Sequence, residues 1–211
     1  MKLILRKISL ENFKIHKNTT IEFSDGINIF QGVNGSGKSS ILEGIFAALY
    51  LGTREGGFQR RYSDLISYGA PYAKIELEFD VIDRKIKHHC TIKRVIETNG
   101  TSKVELRVIK ELPDGTKKAE PLITKVSDAI ERIKELLGMD AKEFISTVYV
   151  RQKDITNILD KDVLTQVFNK YLGLEKYDVA LQNFSRILSQ IEYSISSINN
   201  NILSKDSELR D

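Results

Sequence analysis

The chain has 211 residues, of which 41% are hydrophobic and 29% charged, and its formal net charge is +3. That length suits one well-packed domain with an appendage, and so mild a basicity neither requires nor excludes nucleic-acid binding. No apolar stretch approaches the roughly 20 residues of a membrane span, and the charged start at Lys2 does not fit a signal peptide. The single cysteine, Cys90, excludes an internal disulfide within this chain, so we expect an intracellular location and no membrane partner.

The first 30 residues have the alternation of β-strands. One predicted strand covers Lys2–Phe13, and a second alternating run covers Thr20–Phe23. After a turn at residues 24–26, Ile27–Phe30 is predicted as a short strand that leads into a glycine-rich turn. A strand–turn–helix order follows from this pattern, because the next apolar residues have helical spacing.

The glycine-rich turn carries a phosphate-binding pattern. Gly32–Ser39 matches G-x-x-x-x-G-K-[ST] at every specified position, and a helix is predicted from near Gly37 to Gly52. Glycines allow successive N–H groups to turn inward around an anion, and the helix directs its positive end at the same place. Lys38 would add a point charge for phosphate and Ser39 a hydroxyl ligand for Mg²⁺. The pattern therefore predicts a nucleoside triphosphate site rather than an incidental strand–helix turn.

Residues 73–120 are predicted to form an antiparallel meander. Strand-like alternation recurs in three runs, which are Lys74–Val81, Ile86–Ile96 and Val104–Ile109. Asn99-Gly100 is a strong hairpin signal between the last two runs. His88, His89 and Cys90 are neighbours on one strand, so their side chains alternate between faces and are not expected to share a metal ion.

Basic residues concentrate on this meander. The set consists of Lys85, Lys87, Lys93, Arg94, Lys103, Arg107, Lys110, Lys117 and Lys118. Lys85, Lys87 and Lys93 have the same strand parity, which suggests a track for the DNA backbone. The alternative is an ordinary solvated sheet face, because Glu97 and Glu105 are interspersed among these cations.

Three further segments complete the chain. A helical pattern begins at Ser127 and is closed by Gly138 as a C-cap, and Thr147–Val150 is interpreted as a short buried strand. From Leu174 to Ile202 apolar residues step by three and four, as in the a/d seam of a coiled coil. We therefore expect a lobe at 1–172 and the start of a coiled-coil arm at 173–211. An amphipathic helix packed on its own domain is the alternative.

The string Phe30–Ile45, together with the opening Ile8–His16, resembles the N-terminal lobe of the ABC-type ATPases of chromosome maintenance and repair. That group includes the SMC, RecF and RecN, and Rad-fifty/SbcC types. Tyr149-Val150-Arg151-Gln152 resembles the Q-loop of the Rad-fifty branch, and the heptad segment 174–202 matches its first coiled-coil arm. The resemblance implies an α/β fold of ABC type, with a mixed sheet and an antiparallel meander around the phosphate-loop helix and a coiled-coil helix stub.

The resemblance also implies roles for individual residues, with ATP and Mg²⁺ as cofactors. Lys38 and Gln152 would be the catalytic residues, and Ser39 and Gln152 would share the Mg²⁺. The residues implied in nucleotide binding are Lys14, Asn34, Gly35, Ser36, Gly37, Lys38, Ser39, Ser40, Tyr68 and Gln152. Lys14 departs from the Arg that many members carry, and Lys153 stands where a Gly commonly follows the Q-loop Gln.

Parts of the ATPase machinery are missing from the sequence. It contains no Asp-Glu pair after an apolar strand and no Ser-Gly-Gly signature loop. The resemblance places these parts in a C-terminal lobe, so ATP hydrolysis is expected only with that lobe and with a second head in a homodimer. It further implies a double-strand-break repair nuclease at the base of the coiled coil, double-stranded DNA as partner, and a DNA-associated location in cytoplasm or nucleus.

Two other functions remain open from the sequence. An SMC-type chromosome-organising ATPase head would use the same nucleotide site for a structural task. A small-molecule kinase would share only the phosphate loop. The heptad arm and the missing catalytic carboxylate disfavour the kinase.

Overall fold

The computed structural model describes residues 2–52, 62–149 and 175–208. The chain divides into two units, Met1–Arg151 and Gln152–Asp211. The boundary expected between residues 172 and 173 lies outside the described residues and stays a prediction.

The first unit is built on a six-stranded antiparallel sheet. Its strands are β1 (Lys2–Phe13), β2 (His16–Glu22), β3 (Tyr72–Asp83), β4 (Ile86–Glu97), β5 (Ser102–Glu111) and β6 (Lys117–Ala119), in the order β2-β1-β3-β4-β5-β6. The predicted meander is confirmed, with Asn99-Gly100 in the turn between β4 and β5. All five pairings are antiparallel, so no parallel pair of a mixed sheet lies among the described residues.

Strand alternation assigns the two faces of the sheet. Odd-numbered residues of β3 and even-numbered residues of β4 and β5 are buried, as at Leu77, Ile92 and Leu106. Burying these aliphatic side chains against helices is the main stabilising contribution to the fold, at about 25 cal/mol per Å² of apolar area. The opposite face carries mostly charged side chains.

The structure describes three α-helices in this unit, two of which were predicted from the sequence. They are α1 (Lys38–Tyr50), α2 (Val126–Leu137) and α3 (Ala141–Thr147). The first two confirm the predicted helices, and Gly138 ends α2 with the positive φ of a C-cap. In α1, Gly44 lets the helix approach the sheet, because a Cβ there would lie 2.8 Å from a methyl carbon of Leu10.

Two predicted strands are wrong. Ile27–Phe30 pairs with no described strand, and the side chains of Ile27 and Ile29 are 90% and 85% exposed. Residues 147–149 are not a strand either, because a capping box formed by Asp140 and Glu143 begins α3, which runs through Thr147, and Val150 lies outside the described residues. In both cases apolar residues gave the strand pattern, but no strand among the described residues pairs with them.

In the second unit the structure describes one helix, α4 (Glu175–Glu208). The helix confirms the helical period of the heptads, and its seam residues Leu181, Phe184, Leu188, Ile191, Ile195 and Ile198 are exposed. Pairing with a second helix stays a prediction. In the segments that the structure describes, no helix is long and apolar enough to cross a membrane.

Candidate phosphate-binding site

The glycine-rich loop enters α1 through two positive-φ residues. Gly35 has φ +84° and Gly37, the N-cap of α1, has φ +92°. No side chain caps the helix, so its first N–H groups face the loop without a protein acceptor from the cap residue. The loop residues Asn34, Gly35 and Ser36 are exposed. An anion at this helix end would meet both the free N–H groups and the positive end of the helix dipole.

The side chain of Lys38 points back toward the start of the loop. Its Nζ donates to the carbonyl oxygens of Gly32 at 2.7 Å and Val33 at 2.8 Å. The ammonium group is thus held at the mouth of the loop, where a phosphate oxygen can replace a carbonyl as acceptor. Ser39 is exposed in the first turn of α1 and Ser40 is half-buried. The Ser39 hydroxyl, next to Lys38 in the chain, fits the oxygen ligands that Mg²⁺ takes.

The turn between β1 and β2 lies against this loop. Lys14, with φ +53°, forms an ion pair with Glu43 of α1, and both side chains are largely buried. His16 is 8% exposed and its Nε2 lies 3.1 Å from the carbonyl oxygen of Gly37. Lys14 therefore lies on the turn that contacts Gly37, and its role in nucleotide binding stays a prediction. His16 was missed, because sequence alone gives no signal for a contact between residues 21 positions apart.

The segment that contains Tyr68 is held against the same turn. Ser67 donates from its Oγ to the carbonyl oxygen of Lys14 at 2.6 Å and from its N–H to the carbonyl oxygen of Asn12 at 2.7 Å. The Tyr68 side chain is fully exposed. The segment that carries Tyr68 is thus tied to the turn that contains Lys14, although the two are far apart in the chain.

Gln152 lies outside the described residues. Its neighbour Tyr149 stacks on Phe46 of α1, with ring centroids 5.8 Å apart and planes 17° apart. The N–H of Tyr149 also donates to the carbonyl oxygen of Phe144 at 2.8 Å. These contacts fix Tyr149, the first residue of the predicted Q-loop string, against α1.

The basic residues of the proposed DNA track have three different surroundings in the structure: one is buried, four are paired with acids, and four form no ion pair within the described residues. Arg94 is fully buried, so its place in the track is wrong, and its Nε and Nη2 donate to the carbonyl oxygens of Ala48 and Leu49 at 2.6 and 3.2 Å. Four lysines of the track pair with acids: Lys87 with Asp80, Lys93 with Glu76, Lys103 with Glu97, and Lys117 with Glu111. Lys85, Arg107, Lys110 and Lys118 form no ion pair within the described residues.

The two histidines of β4 have separate surroundings. His89 lies between two carboxylates, with Nδ1 2.8 Å from Asp80 and Nε2 2.6 Å from Glu111. The pKa of His88 is lowered by burial and by the nearby Arg132 guanidinium. Burial also raises the pKa of the Cys90 thiol to about 12, so this thiol is unreactive at neutral pH. In the described parts of the chain, no group of three or more ligating side chains could hold a metal ion.

Sequence comparison brings the fold and the loop into one family. Residues 7–211 match the AAA domain family AAA_23. The chain is 29% identical over 206 residues to the DNA double-strand break repair Rad50 ATPase of Methanocaldococcus jannaschii, and 30% identical over 201 residues to that of Methanococcus maripaludis. These alignments cover 94% and 92% of this chain and 18% of each relative. The chain thus spans less than a fifth of the length of these curated relatives.

A solved structure of the recombination mediator protein RecF-ATP in the RecFOR pathway is 22% identical, with a TM-score of 0.40, over 56% of this chain and 28% of RecF. The Rad50 matches confirm the resemblance to the Rad-fifty type. The phosphate loop lies within the matched residues, at the uncapped end of α1. The chain therefore belongs to the AAA domain family.

Proposed function

We propose that the chain is the ATP-binding half of a DNA double-strand-break repair ATPase. The observation that carries the proposal is the uncapped N-terminus of α1, which faces a loop with two positive-φ glycines and the ammonium group of Lys38. Each feature attracts phosphate, and their combination suits the β- and γ-phosphates of ATP. Similarity to Rad50 ATPases supports the repair function.

In this proposal the loop residues have distinct tasks. The N–H groups that follow Gly35 and Gly37 bind phosphate oxygens, and Lys38 exchanges its loop carbonyls for the β- and γ-phosphates. Ser39 and Gln152 hold Mg²⁺, which neutralises charge that develops on the phosphates during hydrolysis. Lys14 and Tyr68 border the nucleotide from the β1–β2 turn and the segment tied to it.

Hydrolysis requires a second lobe in this proposal. The sequence has no acidic pair to activate water, and the chain spans 18% of each Rad50 relative. The exposed side chains of Ile27, Ile29 and Val33 support an added lobe, because Ile27 and Ile29 lie just before the phosphate loop and Val33 lies within it. Apolar side chains of this size gain about 1.5–3 kcal/mol each when a partner covers them.

The remaining partners follow from the repair function. ATP brings two heads together as a homodimer, and the closed heads clamp double-stranded DNA and control a partner nuclease at the base of the coiled coil. Hydrolysis then releases the DNA. The cations without an ion pair, Lys85, Arg107, Lys110 and Lys118, are the candidates to contact the DNA backbone. The protein would act inside the cell, in association with DNA.

Light scattering tests the proposal through ATP-dependent association of this chain with an added C-terminal lobe. We expect ATP with Mg²⁺ to double the particle mass and Lys38→Ala to abolish the increase, because the ammonium group that binds the phosphates is lost. Lys134→Ala is the matched control, since Lys134 is an exposed lysine in the last turn of α2. Tight ATP binding without association would contradict the clamp, and association that survives Lys38→Ala would contradict the site.

A further inference from the structure

His16 is a buried histidine that touches the phosphate loop. It is the first residue of β2 and pairs with Phe13 across the two-residue turn at Lys14 and Ile15. We propose that His16 is a positioning residue, which holds the last peptide of the phosphate loop in its anion-binding orientation. The inference rests on the proposed ATP site and adds a residue from outside the G-x-x-x-x-G-K-[ST] pattern.

The ring makes one hydrogen bond with each nitrogen. Nε2 lies 3.1 Å from the carbonyl oxygen of Gly37, and Nδ1 lies 3.1 Å from Oγ1 of Thr19. Because a carbonyl oxygen can only accept, Nε2 carries the proton. In the neutral ring Nδ1 then accepts from the Thr19 hydroxyl. The bond to the Gly37 carbonyl therefore fixes the tautomer, and the bond to Thr19 helps to fix the angle of the ring.

The carbonyl that His16 contacts belongs to the peptide that binds phosphate. The carbonyl of Gly37 and the N–H of Lys38 are parts of one planar peptide group and point in opposite directions. A donor that holds this carbonyl toward the β1–β2 turn therefore aims the Lys38 N–H away from the turn and into the loop. The N–H of Ile41 is the other donor to the same oxygen, at 3.1 Å, so two bonds fix the plane.

Steric contact supports the same role. A Cβ added at Gly37 would lie 2.6 Å from Nε2 of His16 and 2.9 Å from a methyl carbon of Ile15. The turn thus occupies the space on one side of Gly37, and the peptide cannot rotate toward it. A histidine that served only to fill the core would need neither this hydrogen bond nor contact with the loop.

Three substitutions separate positioning from simple packing. In His16→Gln the side-chain amide can place a donor where Nε2 lies. In His16→Asn the shorter amide can replace only Nδ1, which faces Thr19. In His16→Phe the ring remains but both hydrogen bonds are lost. The measurement is the Kd for ATP with Mg²⁺, from competition against a fluorescent ATP analogue, on the 211-residue chain. Urea unfolding of each variant reports stability separately. His89→Gln is the matched control on the far side of the sheet.

We expect the Kd to rise about 5- to 10-fold in His16→Asn and His16→Phe, as for loss of one hydrogen bond that orders the loop, and to stay within about 2-fold in His16→Gln and His89→Gln. Wild-type affinity in His16→Phe, or equal losses in the Gln and Phe variants, would overturn the inference while leaving the ATP site intact. No ATP binding by the wild-type chain would overturn both.

A second measurement needs no variant. A long-range ¹H–¹⁵N spectrum of the wild-type chain distinguishes the protonated from the unprotonated ring nitrogen of His16. We expect the neutral form to carry its proton on Nε2. A proton on Nδ1 in that form would remove the donor to Gly37 and overturn the inference.

Discussion

The two ends of α1 differ in whether their backbone groups are hydrogen-bonded within the protein. At the N-terminus, Gly37 has φ +92°, no side chain caps the helix, and the loop before it is exposed. At the C-terminus, the buried guanidinium of Arg94 donates to the carbonyl oxygens of Ala48 and Leu49, and the Tyr50 hydroxyl donates to the carbonyl oxygen of Met139 at 2.9 Å. One end keeps its backbone groups available, and the other has them bonded within the protein.

This difference separates binding from stability along a single helix. N–H groups at an exposed helix end bond to water until a ligand accepts from them, whereas bonded carbonyls at the other end fix the helix on the sheet. Changes at the N-terminal end should therefore lower nucleotide affinity more than stability. Changes at the C-terminal end should do the reverse.

The largest effect on affinity is expected from Gly37→Ala. An added Cβ would lie 2.6 Å from the His16 ring, and the positive φ disfavours any residue with a Cβ. The loop must move to relieve this contact, which misdirects the Lys38 N–H. We expect ATP affinity to fall by at least about 100-fold, measured as the Kd for ATP with Mg²⁺, as for loss of several phosphate contacts.

Gly26→Ala is the matched control for this change. Gly26 also has φ +92°, but nothing lies within 4 Å of an added Cβ. The substitution should cost only the backbone strain of about 1–2 kcal/mol, with ATP affinity unchanged. Equal loss of affinity in both variants would show that backbone strain, rather than contact with the β1–β2 turn, determines binding.

The sequence predicted the parts of this comparison that are contiguous in the chain. The phosphate loop was predicted because its glycines, Lys38 and Ser39 are neighbours and each has a physical reason for its place. The strands of the meander were predicted because alternation reflects one buried face. Ile27–Phe30 shows the limit, since alternation cannot report whether a partner strand is present.

The C-terminal end of α1 could not be predicted in the same way. Arg94 was assigned to a basic track by its charge, although it shares strand parity with the buried residues Ile92 and Ile96. Parity would have placed its side chain on the core face. Its acceptors on α1 lie 45 and 46 residues earlier in the chain, and no local pattern reports them. The contact of His16 with the loop is of the same kind.

Arg94→Leu tests the C-terminal end of α1. The substitution leaves the carbonyl oxygens of Ala48 and Leu49 buried without their donor, at about 1–3 kcal/mol each. Part of this cost is offset, because burial disfavours the charged guanidinium and lowers the pKa of Arg94 to about 10. We expect a net loss of about 3 kcal/mol in the free energy of unfolding in urea. ATP affinity should stay within about 2-fold, because the far end of the helix is unchanged.

Arg107→Leu is the control for Arg94→Leu, since Arg107 is an exposed arginine on β5. It should change the free energy of unfolding by less than about 0.5 kcal/mol. If Arg94→Leu instead weakened ATP binding as strongly as it destabilised the fold, the two ends of α1 would not be independent.

Asp80 is a buried carboxylate with hydrogen-bond partners, and it lies away from both ends of α1. Its carboxylate accepts from Arg6 Nε at 2.7 Å and lies 3.2 Å from Lys87 Nζ and 2.8 Å from His89 Nδ1, on the charged face of the sheet. Burial acts to raise the pKa of Asp80, but the hydrogen bonds from Arg6 and Lys87 outweigh it, so its pKa lies below the usual value. The folded state therefore favours the ionised carboxylate.

We expect Asp80→Asn to lower the free energy of unfolding by about 2 kcal/mol at pH 7, because the amide lacks the negative charge that pairs with Arg6 and Lys87. The loss is limited because both cations can turn to solvent. A folded pKa below the unfolded value gives stability above about pH 4 that is lost as the pH falls further. The difference in unfolding free energy between wild type and Asp80→Asn should thus narrow as the pH falls below about 4. Urea unfolding across that range checks it. A difference in unfolding free energy that is constant with pH would mean that Asp80 stabilises the sheet through its shape rather than its charge. A loss of ATP affinity in Asp80→Asn would mean that the charged face and the phosphate loop are coupled.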